Sequence, residues 1–303
     1  MKNLKKIILL SILVCTIKVS NAQDDLLENL NTEADKTKQY TQATFKATRI
    51  INCQTVETLS KNSLDFRISH RFGDFSSGSY NFYGLDGPAN IRIGFDYGIT
   101  DKFMIGIGRS SDHKLFDGFL KYKILSQTTN GSMPITLTGL ISINITSEKD
   151  ATAALTGINK YENFSSRISY MYQLMIARKF TKKLSVQLSP TFIHYNQVIN
   201  TTDKNDMLSL ATAGRFKLTK SLSLSGEYVI RISQYTVQMN AYHNSLGFGL
   251  DVETGGHVFQ VFVINSFGIN EVQAIPYTVS QWGKGEIRLG FNISRVFSFN
   301  KSH

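Results

Sequence analysis

Past Ala22 the chain has no long apolar run, its longest uninterrupted aliphatic or aromatic stretches being about as short as Val261–Ile264. A spanning helix needs roughly 20 apolar residues, so a polytopic helical membrane protein is excluded. Cysteine is almost absent: of the two, Cys15 and Cys53, the first lies in the N-terminal apolar stretch. No C-x-x-C-H and no cysteine-based metal cluster can be built, which excludes covalent haem attachment and a Cys-ligated zinc site. The six histidines, at positions 70, 113, 194, 243, 257 and 303, have no partner at close metal-ligand spacing. There is no G-x-S-x-G, H-E-x-x-H or Walker-type loop. No metal, cofactor or enzymatic activity is therefore expected. Proline is scarce, at four residues, and the many Ser, Thr, Tyr and Phe residues favour β structure.

The first 22 residues read as an export signal. Lys2, Lys5 and Lys6 precede the apolar Ile7–Val14, and Ser20-Asn21-Ala22 is a small-x-small cleavage pattern, so the processed chain is expected to start at Gln23. Lys18 breaks the apolar stretch too early for a membrane anchor. Leu13 and Val14 before Cys15 leave no small residue at the position a lipoprotein signal requires. Removing this segment takes away Lys2, Lys5, Lys6 and Lys18 and no acid, so the formal charge falls from +10 to +6. Much of the basicity is targeting information, and with no basic block interleaved with aromatics, nucleic acid is not an expected partner.

Residues 23–62 differ from the rest, with a short amphipathic turn at Asp24–Leu30, a polar stretch, and then Phe45–Thr55. This is expected to be a periplasmic N-terminal segment, or alternatively an added strand or a lumen plug, since alternation is too weak there to decide. From Leu64 onward alternation is regular. Leu64, Phe66 and Ile68 interleave with Asp65, Arg67 and Ser69, and Ile91, Ile93, Phe95 and Tyr97 with Arg92, Gly94 and Asp96. Similar patterns recur around Phe116–Ile124, Ile168–Leu174, Leu222–Ile230 and Ile287–Ser294, with weaker ones at Phe103–Arg109, Ile135–Asn144, Leu184–His194, Leu208–Phe216, Leu246–Glu253 and His257–Asn265. Successive strand side chains face opposite ways, so each of these twelve segments has one apolar and one polar face.

A soluble sandwich of the periplasm would also alternate. The connections separate the readings. Short ones, at Ile99–Lys102, Ser126–Pro134, Ala177–Lys183, Leu218–Lys220 and Thr254–Gly256, fall between others at Gly73–Ala89, Ser110–Lys114, Ile145–Asn163, Tyr195–Met207, Arg231–His243 and Ser266–Gly285, of which only Ser110–Lys114 is short. Short turns on one rim and longer loops on the other are the mark of an outer-membrane barrel. The fold expected is thus an all-β, antiparallel, up-and-down transmembrane β-barrel of about 12 strands over residues 63–303. Tyr97, Phe103, Phe180 and Phe216 flank the short turns at the height of an aromatic girdle. Three of those turns echo one another, in Thr100-Asp101-Lys102, Thr181-Lys182-Lys183 and Thr219-Lys220-Ser221. Partners are then outer-membrane lipid and the barrel assembly machinery, whose C-terminal aromatic signal Val296-Phe297-Ser298-Phe299 resembles, although the Asn300–His303 tail departs from it.

The segments Phe45–Asn52, Thr55–Thr58 and Leu64–Gly73, followed by Tyr83–Asp86, Ile91–Arg109 and Asp117–Lys123, resemble an uncharacterised Bacteroidota family of outer-membrane β-barrel proteins, a domain of unknown function. The resemblance implies a membrane barrel and supplies no catalytic or binding residues.

Chemistry is concentrated in charged residues of inward parity: Arg67, Arg92, Lys121, Lys123, Arg167, Arg215 and Arg288 against Asp65, Asp96, Asp117, Glu227 and Asp251. They would line a weakly anion-favouring lumen, or pair across a side-chain-filled interior because desolvated charges require partners. The first arrangement makes a narrow small-solute channel and the second a non-catalytic binding or structural barrel. A phospholipase-like hydrolase is the alternative, needing a serine and a histidine at one rim, with His194 on the outward parity of its strand. Aspartate at Ile93 or Leu289 should block assembly, and at Gly94 or Asn292 should be tolerated if the lumen is wet. A folded barrel should migrate faster on a gel unheated than boiled, and recovery in a detergent-free soluble fraction would reject this architecture.

Overall fold

In the computed structural model, which describes residues 39–150, 161–198, 203–233 and 242–299, twelve antiparallel strands form a closed barrel. A two-stranded hairpin, β1 (Arg49–Ile50) and β2 (Cys53–Gln54), precedes it. The barrel strands are β3 (Ser63–Arg71), β4 (Asn90–Gly98), β5 (Phe103–Ser110), β6 (Leu115–Leu125), β7 (Thr136–Thr146), β8 (Ile168–Lys179), β9 (Leu184–Tyr195), β10 (Asp206–Lys217), β11 (Leu222–Arg231), β12 (Ser245–Thr254), β13 (His257–Ile264) and β14 (Arg288–Ser298). Each pairs with its sequence neighbours, and the ring closes where β14 meets β3, from Gly290 opposite Arg71 to Ser298 opposite Ser63. Closure leaves no strand edge, which is what allows a sheet to cross a bilayer. The expected export signal and the segment up to residue 38 lie outside the described residues, as does the 300–303 tail.

Burial is inverted relative to a water-soluble core. Ile93, Phe95, Ile107, Leu120, Tyr172 and Phe248 are exposed, whereas Arg67, Arg92, Lys121, Asn144 and Gln187 are buried. The apolar outer face belongs to lipid and the polar inner face to the lumen. The three echoing turns share one device. The Thr100 hydroxyl accepts from the backbone N–H groups of Lys102 and Phe103, Thr181 from Lys183 and Leu184, and Thr219 from Ser221 and Leu222. A threonine hydroxyl that satisfies two turn amides replaces the backbone partners a tight turn lacks.

Inside the ring, side-chain placement is specific. The Arg92 guanidinium lies across the cross-strand pair Gly94 and Gly108, where a Cβ would come within 2.5 Å and 2.2 Å of its nitrogens. A side chain at either position would have to push that guanidinium off Asp117. Gly94 is therefore not a spare wet position, and neither is Asn292, whose amide donates to the Ile51 carbonyl at 2.8 Å and to Gln260 Oε1 at 2.9 Å. This corrects the expectation of a tolerant lumen. Ile93→Asp and Leu289→Asp should still abolish the folded, heat-modifiable band, because a lipid-facing charge at mid-depth costs about 2–4 kcal/mol. Asn292→Asp should give a folded barrel whose Cys53 thiol reacts faster with maleimide, and loss of the folded band in all three variants would overturn the face assignment.

Candidate functional site

The segment left undecided by the sequence fills the lumen. It enters at the short-turn rim, where the Thr41 amide donates to the Gln127 carbonyl, and leaves by the same rim, where Thr58 and Lys61 bond the turn residue Asp101. Between these points the β1–β2 hairpin is held by inward-facing residues around the ring. Glu227 Oε2 on β11 accepts from the amides of Asn52 at 3.0 Å and Cys53 at 2.9 Å. On β9, the Gln187 side chain accepts from the Val56 amide at 2.9 Å and donates to the Gln54 carbonyl at 2.7 Å. Arg71 on β3 reaches Asn52 Oδ1 at 2.5 Å, Lys121 on β6 bonds the Thr48 carbonyl and Gln54 Oε1, and Thr138 on β7 donates to the Val56 carbonyl. A two-stranded hairpin has unpaired backbone groups on both edges; barrel side chains satisfy them here, as buried amides require. Its apolar side chains, Phe45, Ile50, Cys53 and Val56, share one buried cluster with inward-facing Met104, Met171, Met175 and Met207. Methionine adapts to such irregular gaps.

A second element closes on the hairpin from the long-loop rim. Within the β13–β14 connection, helix α1 (Glu271–Tyr277) begins at Asn270, whose side chain accepts from the Val272 amide. Glu271 pairs with Arg49 at 3.1 Å and accepts from the Gln54 amide at 3.1 Å, while the Gly268 carbonyl accepts from Asn52. The α1 side is tied to the barrel by Tyr195, whose hydroxyl donates to the Val272 carbonyl, and by Arg231, which donates to the Pro276 carbonyl.

Among the described residues Lys121, Asp96, Glu227 and Asp251 are held by neutral hydrogen-bond partners and form no ion pair, while the other candidate charges pair, as a filled interior demands. Arg67 meets Asp65 at 3.0 Å and also donates to the Thr48 hydroxyl, which in turn donates to Asp96. Arg92 grips Asp117 through two bonds of 2.9 Å and 2.5 Å. Asp251 accepts from Ser225 and Gln260. Arg215 pairs with Glu253, Arg288 with Asp74, and Lys123 with Glu57 of the entering segment. Arg167 departs from expectation: it precedes β8 in a short turn at the long-loop rim, paired with Asp150 at 2.8 Å and stacked over Tyr161, so it is not a lumen residue. Sequence reasoning missed Arg49, Asn52, Gln54 and Glu271, which lie outside the barrel strands. It also passed over Arg71, Gln187 and Gln260, whose inward parity was readable, and placed Asn292 inward without its bonds to the hairpin. His194 pairs with Asp206 at 2.6 Å and lies against Tyr170, and among the described residues no serine is bonded to it. Among the described residues no group of His, Cys, Asp and Glu could hold a metal ion.

Above α1 lies a cavity of about 240 Å³ at the long-loop rim. Tyr161, Tyr195, Tyr242 and Tyr277 line it together with Val272 and Gln273 of α1. The Tyr277 ring sits edge-on to Tyr195 and Tyr242 at 6.0 Å and 6.1 Å. Burial raises the Tyr161 and Tyr242 hydroxyls above the ordinary phenol range, and raises the neighbouring Asp112 carboxyl above the usual carboxylate range.

A membrane-bound β-barrel domain family of unknown function (DUF5777) matches residues 45–297, hairpin included. The chain belongs to that family. No curated protein matches it in sequence. Among solved structures, the KdgM porin is 11% identical, with 78% of this chain and 99% of that one covered and a TM-score of 0.44. The NanC porin gives 10%, 78%, 99% and 0.49, and an outer membrane channel from Pseudomonas putida F1 gives 13%, 80%, 98% and 0.44.

Glu227→Ala should strip the acceptor from two buried amides, at about 1–3 kcal/mol each. Maleimide labelling of Cys53, the sole thiol beyond residue 22, should then accelerate on the order of a hundredfold, a ratio worth about 3 kcal/mol. Lys123→Ala, at the half-buried rim pair with Glu57, should change the rate little. Equal rates in native and Glu227→Ala protein would show that Glu227 does not hold the hairpin.

Proposed function

We propose that this member of the membrane-bound β-barrel family is a plugged outer-membrane barrel, non-catalytic, that takes up or passes a small solute when its hairpin yields. The observation that carries the reading is the β1–β2 hairpin bonded to inward-facing residues from β3 to β14. Paired charges leave little of the anion-selective ring that an open channel of this kind would present. An exchange of Arg92 and Arg167 to glutamate is therefore not a test of selectivity, since Arg92 is held by Asp117 and Arg167 lies at the rim.

Placement in the outer membrane, with lipid and the assembly machinery as partners, is supported by the signal-like first 22 residues, the alternation of short and long connections and the even strand number. Assignment to the Bacteroidota follows the resemblance of the segments between Phe45 and Lys123. The hydrolase reading lacks its nucleophile: Asp206 orients His194 as a triad carboxylate would, but among the described residues no serine is bonded to that ring.

Planar bilayers test the proposal. Protein beginning at Gln23 should carry little current, while a variant with residues 44–59 replaced by a flexible Gly/Ser linker should give discrete conductance steps. A folded but silent replacement variant would reject the plug as the closing element, and steady conductance of the native chain would reject the plugged state.

A further inference from the structure

The cavity above α1 has the composition of a ligand site. Ligand pockets are mostly apolar and aromatic, with a few placed polar groups that fix orientation. Here four tyrosine rings and Val272 form the walls, and the rim charges are already matched, Arg167 by Asp150 and His113 by Glu148 at 3.0 Å. Among the described lining residues, an entering ion would find both of these charges already engaged. In the α1 wall, Gln273 is 4% exposed, its amide N–H donates to the Asp112 carbonyl at 2.9 Å, and its Oε1 has no donor. The bond to Asp112 fixes which end is oxygen, because a flipped amide would set two carbonyls against each other. A buried acceptor without a donor is costly, so the site favours an occupant that brings a hydroxyl. The volume admits one ring with its substituents.

We infer that this cavity binds a small uncharged ring compound bearing hydroxyl groups, and that its occupancy holds the plug in place through α1. The link is direct. Val272, Gln273 and Tyr277 face the cavity, while Glu271 on the same short helix grips Arg49 and the Gln54 amide of the hairpin. Because the cavity exists with α1 seated, a compound that fits it favours the seated, plugged state. The coupling rests on the plugged-barrel reading; binding itself does not.

Titration calorimetry on the full processed protein in detergent, with methyl β-D-glucopyranoside, resorcinol and glucuronate, tests the site without measuring current. Binding of the glucoside or of resorcinol is expected, and which of them binds identifies a sugar or a phenol as the source of the ring. Glucuronate should bind more weakly than the glucoside. Gln273→Leu should weaken binding about five- to tenfold, the value of one neutral hydrogen bond. Val279→Trp, at an exposed wall position, should block it by filling the space, with the unheated gel band confirming a folded barrel for both variants. With ligand at ten times its Kd, Cys53 alkylation should slow about tenfold. No binding by either neutral ring, tighter binding of glucuronate, or full affinity in both variants would overturn the site. Binding with an unchanged Cys53 rate would overturn the coupling to the plug.

Discussion

The bilayer core offers no hydrogen-bond partner, and the pairing of β14 with β3 is the answer to that constraint on which the rest depends. Once Gly290–Ser298 and Ser63–Arg71 are joined, every strand has two neighbours and the backbone is satisfied within the protein. Polar side chains are then driven to the one place lipid does not reach. Twelve strands enclose a bore narrow enough that such side chains meet, and meeting obliges them to pair. The Arg67–Asp65 and Arg92–Asp117 pairs, with Gly94 and Gly108 cleared to make room for the second, are consequences of closing the ring.

Pairing alone leaves a ring of donors and acceptors without partners, and the hairpin supplies them. Its exposed backbone edges and the inward Gln187, Glu227, Gln260 and Asn292 are complementary. A peptide edge would be a liability on a soluble sheet; here it is the surface that a polar lumen can bind. Helix α1 adds the same logic from the opposite rim, Glu271 contributing a carboxylate where Arg49 would otherwise be a buried unpaired charge.

The barrel was readable because lipid imposes a period of two that no loop disturbs. The outward Ile91, Ile93, Phe95 and Tyr97 announce β4, and the same parity names Asp65, Arg67, Arg92 and Lys121 as inward. The spacing of connections identified which rim carries short turns. The filling of the lumen was not readable, since Phe45–Thr55 forms only two short strands whose partners are side chains scattered along the sequence. Parity also says nothing of inward apolar residues such as Met104 and Met175, which are polar-face exceptions until a hairpin is present to pack on them. Arg167 was misplaced because β8 begins one residue after it, so alternation extended past the strand end.

The pair between Arg49 and Glu271 joins residues 222 positions apart, while most barrel pairings join neighbours in the chain. Contacts of such separation are reached late, because the chain between them must first be ordered. The strands of a meander can zip locally in sequence, whereas the hairpin gains its carboxylate partners only when β11 and the β13–β14 connection are in position. The β14–β3 seam spans the chain as widely, so closing the ring and seating the hairpin are the two long-range steps whose loop-closure cost the local zipping of the meander does not meet.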